Sequence, residues 1–253
     1  MIGITIRAVQ PRFVTFLCAT AIFVPSLLLL DGAGLAHQLL LGALTAAFLA
    51  YFAWHSGAEP LPIVIAIAVA TLGETILSIG WGLYDYRHAL IPLYVPPGHG
   101  VFYLLAAESA RQPLLRRHAV SIERTVLIGG SAMALVSLAL LNDVWGLVWW
   151  IAAVALLRRS SNRLLLSTCI VFTVALEWLG TSLGNWRWAA EVPLLGIPSA
   201  NPPSGVGILY VLLDLIVLAI CVKLPRSSDE WSGAATGIGE RAAARAAAID
   251  GGR

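Results

Sequence analysis

The chain has 253 residues, of which 58% are hydrophobic and 12% charged, with a mean hydropathy of +0.83. A soluble domain carries about 25% charged residues, so this chain has too little charge to coat a water-facing surface and reads as an integral membrane protein. Sixteen basic residues against fourteen acidic ones, a net charge of +2, offer no footprint for nucleic acid.

A membrane-crossing helix needs roughly 20 apolar residues. Eight candidate spans follow in chain order, at about 13–30, 37–54, 61–83, 93–110, 125–142, 144–157, 164–183 and 205–222. Arg7 and Arg12 precede the first run, and Gly34-Leu35-Ala36 resembles a cleavage site. The run is long for the core of a signal peptide, so it reads as an uncleaved span. The third span carries Glu74 and leads into Trp81 and a polar stretch, Tyr84-Asp85-Tyr86-Arg87-His88. The fourth opens on Pro96-Pro97-Gly98-His99 and runs past Tyr103 to Glu108. Prolines suit the first turn of a helix, where their missing N–H costs nothing. The sixth span is short and reads as tilted or re-entrant, with Trp145, Trp149 and Trp150 as interface anchors. The seventh holds Glu177-Trp178 and is followed by Trp186, Trp188, Asn201 and Pro202-Pro203. The eighth carries Tyr210 and Asp214. Residues 1–226 thus form an all-α, polytopic transmembrane domain, and residues 227–253 a disordered cytoplasmic tail with a stretch of helical propensity too short to be stable alone.

With the N-terminus in the cytoplasm, one side of the membrane carries Arg7, Arg12, Arg111, Arg116, Arg117, Arg124, Arg158, Arg159, Arg163, Lys223 and Arg226, and the other only Arg87 and Arg187. The positive-inside rule then places both termini in the cytoplasm of a cell inner (plasma) membrane protein.

The third and fourth spans resemble the seventh and eighth. Each unit runs through an intramembrane Glu (Glu74 or Glu177), a Gly (Gly80 or Gly184) and an aromatic cluster (Trp81, Tyr84 and Tyr86, or Trp186 and Trp188). Pro-Leu, Pro-Pro and a second acid, Glu108 or Asp214, follow in the same order. Units four spans apart share an orientation, which implies a 4+4 parallel internal repeat of about 13–110 and 125–222. Aromatic belts recur in any polytopic protein; they account for the Trp and Tyr but not for the paired Glu.

The only lysine, Lys223, ends the last span, which excludes a mid-membrane Schiff base. The five histidines are at least eleven residues apart, which excludes di-iron His clusters, and no phosphate loop, GxSxG or HExxH occurs. Cys18, Cys169 and Cys221 fall in apolar runs as packing residues. Chemistry is left to carboxylates, aromatics and a histidine. An ionisable group deep in a span costs roughly 2.5–3.5 kcal/mol on insertion scales, so Glu74, Glu177 and Asp214 are the candidate catalytic acids; each is also a plausible interhelical hydrogen-bond partner. Trp178 and Trp186 crowd Glu177 and favour it as the acid. Trp81, Tyr84, His99, Tyr103, Trp178, Trp186, Trp188, Asn201 and Tyr210 are candidate substrate-lining residues. His99 reads equally as a proton relay, a head-group ligand or a structural cap. Aromatic faces beside a proton donor stabilise a carbocation, which points to proton-initiated chemistry on an alkene and requires no metal or other cofactor.

The order Glu, Gly, Trp/Tyr and Pro followed by a second acidic helix resembles lycopene cyclase domains, carotenoid hydratases and the fungal membrane-bound terpene cyclases; Glu177-Trp178-Leu179-Gly180-Thr181 with Gly184 and Trp186 looks most like the hydratase pattern, and the tandem units resemble the two-part lycopene cyclases. The paired acids that follow a proline in the lycopene cyclases are replaced here by Gly98-His99 and Ser204-Gly205. The resemblance implies an enzyme that cyclises or hydrates a carotenoid or terpenoid by protonating a double bond, with Glu74, Glu177 and Asp214 as acids. Its partners would be a lipophilic small molecule and the bilayer, with no nucleic acid. Parallel repeats with midplane carboxylates fit a small proton-coupled transporter too, and a non-catalytic lipid-binding or assembly protein is a third reading. The sequence carries no signal for oligomeric state.

Overall fold

Each of the eight apolar runs folds as a helix in the computed structural model, which describes residues 9–223. These are α1 (Pro11–Leu29), α2 (Leu35–Ser56), α3 (Pro60–Glu74), α4 (Val95–Arg111), α6 (Ala119–Leu141), α7 (Val144–Arg159), α8 (Arg163–Ser182) and α9 (Gly207–Lys223). A short α5 (Pro113–Arg117) links α4 to α6, and α3 continues as a π-helical turn over Thr75–Gly80. Proline opens α1, α3, α4 and α5. Gly57, in the left-handed region, closes α2. The expected segment 227–253 lies outside the described residues, as does Arg7. The described residues up to Leu218 belong to one compact unit, and a second begins at Ala219, of which the end of α9 is described.

Among the described residues, five helices have the length and apolar composition of membrane spans: α1, α2, α3 with its π turn (Pro60–Gly80), α6 and α8. The chain therefore has the build of a multi-pass helical membrane protein. Apolar side chains point outward along them, as Ile22 (71% exposed), Ile128 (71%) and Leu140 (77%) do. Such surfaces are costly in water and at home in lipid. The other three, α4, α7 and α9, have 17, 16 and 17 residues. Among them α4 is central: it packs on α1, α2, α3 and α8. A Cβ at Gly100 would collide with Leu49 and Ile67, so the glycine sets how closely α4 lies against α2 and α3. Phe16, Phe23, Phe48 and Phe52 stack between α1 and α2.

Loops gather by side. At one end Asn185 Nδ2 donates to Leu28 O (2.9 Å) and Asp31 Oδ2 (3.2 Å), and Asp143 accepts from the backbone of Ala200 (2.9 Å) and Ser204 (2.8 Å). At the other, Gln112 Oε1 accepts from Gln10 N (3.0 Å), and Arg163 reaches Glu123 (3.2 Å).

The expectation of a purely helical chain needs one correction. Among the described residues four short strands occur: β1 (Tyr84–Tyr86), β2 (Trp186–Trp188), β3 (Glu191–Val192) and β4 (Ile197–Pro198). β1 pairs antiparallel with β2, placing Tyr84 opposite Trp188 and Tyr86 opposite Trp186; β3 pairs with β4. These segments follow helix ends, where unpaired backbone needs partners, and a two-stranded ribbon supplies them.

Candidate active site

The β1–β2 ribbon sorts its side chains by the two-residue period of a strand. Tyr84, Tyr86, Trp186 and Trp188 are buried on one face, and Asp85 and Arg187 are exposed on the other. The four rings pack as Tyr84 on Trp188 (centroids 4.5 Å apart) and Tyr86 on Trp186 (6.1 Å). Beneath them lies a largely apolar cavity of about 340 Å3, walled by α1, α3, α4, α8 and α9. Both Glu74 and Glu177 line it.

Each glutamate is held by the strand that follows it in the chain. Glu74 Oε2 accepts from the phenols of Tyr84 and Tyr86, both at 2.7 Å. Glu177 Oε2 accepts from the indoles of Trp186 (2.8 Å) and Trp188 (3.0 Å). Burial first, then the neighbouring Glu74, holds the Tyr84 and Tyr86 phenols far above their ordinary range, so both remain protonated donors. Close approach of Trp186 depends on Gly180, because a Cβ there would fall within the indole ring.

His99 completes the arrangement from α4. Its Nδ1 lies 3.0 Å from Val95 O, a group that only accepts, so Nδ1 carries a hydrogen. Nε2 then faces Glu74 Oε1 at 3.4 Å. A neutral imidazole in this tautomer has a lone pair at Nε2, so a proton in this contact belongs either to the carboxyl or to the ring. Tyr210 of α9 stacks on the imidazole at 5.1 Å and 17°.

Of the residues expected at the site, Glu74, Glu177, Tyr84, His99, Trp186, Trp188 and Tyr210 all line the cavity. The others lie elsewhere. Trp178 is 58% exposed on the outer side of α8, because residues adjacent in a helix point about 100° apart, so it does not dehydrate Glu177. Trp81 is half-buried, and its indole donates to Pro193 O (2.9 Å), fastening a loop. Exposed Asn201 accepts from Trp188 N (2.9 Å) and fixes the strand rather than the cavity. Tyr103 packs in the Phe-rich cluster of α1 and α2. Asp214 is 1% exposed beside Cys169, away from the cavity lining.

Several contributors were not singled out from the sequence. Tyr86 is one: the sequence placed it in the repeated aromatic cluster but not among the candidate lining residues, and its signal was the matched alternation Tyr-Asp-Tyr and Trp-Arg-Trp. Two loop acids are others. Asp31 is bound by Gln38 (2.8 Å) and Asn185, with His88 at 3.7 Å. Asp143, fully buried, accepts from Gly146, Ala200 and Ser204 backbone N–H groups. An acid in a loop looks solvated in a sequence, and nothing local distinguished these.

Among the described residues no group of three or more His, Cys, Asp and Glu is placed to hold a metal. Comparison with models of known families, with characterised proteins and with solved structures finds no match for this chain.

Proposed function

We propose that the chain is an integral-membrane enzyme that protonates a double bond of a lipophilic, isoprenoid-type substrate and so cyclises or hydrates it. The observation that carries this reading is the juxtaposition, in one apolar cavity, of two carboxyls, a histidine and four aromatic faces. Glu74 is the acid in this reading because His99 Nε2 faces its Oε1 at 3.4 Å and gives it a proton-exchange partner. With the proton on Oε1, its O–H bond breaks as the alkene π electrons form a new C–H bond, leaving a tertiary carbocation and a Glu74 carboxylate. The phenols of Tyr84 and Tyr86 stabilise that carboxylate by hydrogen bonding, and the proton released when the cation is discharged is taken up at His99 Nε2 and passed to Glu74 Oε1, which restores the acid. Glu177, held by the indoles of Trp186 and Trp188, lines the same cavity, and the rings of those two tryptophans add cation–π attraction. The cation is discharged by attack of a neighbouring double bond and loss of a proton, or by addition of water.

The wider reading is of eight spans with both termini in the cytoplasm of an inner membrane, built as a 4+4 repeat. Support comes from the bias of Arg to one side, from the gathering of loops at two ends, and from the ribbon register. If Tyr84 and Tyr86 correspond to Trp186 and Trp188, the pairing of 84 with 188 and of 86 with 186 is that of a pseudo-two-fold.

Expression in a host that makes acyclic isoprenoids, with lipid extracts compared by mass spectrometry, tests the chemistry. A new isomer or hydrate is expected. Glu74→Gln keeps shape but removes the dissociable proton, and turnover should fall by roughly 10²–10⁴-fold with ligand retained. Glu177→Gln should lose less. A substrate moved but chemically unchanged would indicate a proton-coupled carrier instead; full activity in both variants would eliminate this mechanism.

A further inference from the structure

A second cavity, of about 220 Å3, lies between α1, α4 and α8. Leu17, Ala21, Leu105, Phe172, Ala175 and Leu179 are among its lining residues, and its one polar wall residue is Thr20. Thr20 is 5% exposed, and its hydroxyl has no hydrogen-bond partner. This sets it apart from Thr15, Thr45, Thr71 and Thr173, which bond back to the preceding turn.

The two cavities are not independent. Val24, Phe102 and Leu176 line both. They form the partition between the carboxyl-bearing cavity and the second one. Leu176 immediately precedes Glu177, and Phe102 meets Tyr210 edge-on at 6.4 Å, one ring away from His99. Nothing polar holds the partition shut: it consists of apolar side chains that change rotamer at little cost.

We propose that one elongated ligand occupies both cavities, its reacting end between Glu74 and Glu177 and its apolar body passing Val24, Phe102 and Leu176 into the space between α1 and α8. This rests on the isoprenoid reading above and adds a chain length to it. The first cavity is at the lower end of the roughly 300–1,000 Å3 span of ligand pockets. A short isoprenoid is accommodated there alone. Only a long acyclic one gains the apolar burial that the second cavity offers, and that gain scales with each methylene buried. The site therefore selects long linear substrates over short ones.

The test is binding of squalene, a thirty-carbon chain, and farnesol, a fifteen-carbon one, to the purified full chain by native mass spectrometry. Ala21 and Ala175 are exposed at the second cavity, so Ala21→Phe and Ala175→Phe plug it without disturbing the helix packing. Gly73 lines the first cavity with open space at its Cβ position, so Gly73→Phe plugs that one. Either second-cavity plug should weaken squalene by roughly tenfold or more while leaving farnesol unchanged. Gly73→Phe should weaken both. Retained farnesol binding shows that the plugged variants are folded. Wild-type squalene affinity in both second-cavity plugs would overturn the shared site while leaving the enzyme reading intact. A co-purifying phospholipid that squalene does not displace, and that the plugs remove, would overturn it in favour of a bilayer lipid. Failure of the wild type to bind either isoprenoid would overturn the isoprenoid reading and this inference together.

Discussion

Gly180 stands one turn after Glu177, and Trp186 occupies the space where its side chain would be. Gly180→Ala therefore forces either α8 or the indole to move. Overpacking of this kind costs about 1–3 kcal/mol. A lower thermal midpoint and a changed tryptophan emission are expected, and unchanged values for both would show that Trp186 does not depend on that gap. Asp143 makes a second residue-level case. Its carboxylate is fully buried and accepts from three backbone N–H groups of two different segments. Asp143→Ala leaves those donors without acceptors, a loss of about 2–4 kcal/mol. Denaturation in detergent should show it, with the 200–204 turn becoming susceptible to protease. The carboxyls at the centre were legible in the sequence because an ionisable group in an apolar run stands out. Trp178 was misplaced for a related reason: adjacency to Glu177 along the chain is not adjacency across a helix.

Among elements, the helices were legible and the ribbon was not. Long apolar runs declare themselves wherever lipid is the solvent, so the eight predicted segments each coincide with a helix. A three-residue strand shows barely one cycle of its period, and Tyr84, Tyr86, Trp186 and Trp188 are also what an interfacial aromatic belt contributes. Their pairing spans about a hundred residues of chain, which no local pattern reports. The ribbon is fastened from outside by Trp81, whose indole donates to Pro193 O. Arg87 adds bonds to the Gly184 and Leu183 carbonyls. Trp81→Phe keeps the ring but loses the donor. Faster amide exchange in β1 and β2 is expected, with little change in α4; protection equal to wild type would assign the loop's rigidity to Arg87 and the backbone ladder.

At the scale of the molecule, the loops at one end come together through Asp31, Asn185 and Asp143, and those at the other through Gln10, Gln112 and Arg163. Reporter fusions in the 112–123 loop and after residue 226 should report the cytoplasm, and a fusion within 189–200 the outside. An external C-terminus would refute the eight-span arrangement. The central helix α4, with nine of its seventeen residues buried, lies among protein rather than lipid, so in the eight-span arrangement proposed above its shortness would cost little. One consequence of the ribbon concerns connectivity. β1 precedes the α4–α6 junction and β2 follows it, so neither part of a chain cut near residue 116 possesses a complete cavity, yet each presents the edge that the other lacks. Two polypeptides divided there and co-expressed should recognise one another through that edge and the α4–α8 contact, co-purify, and restore the site that neither contains.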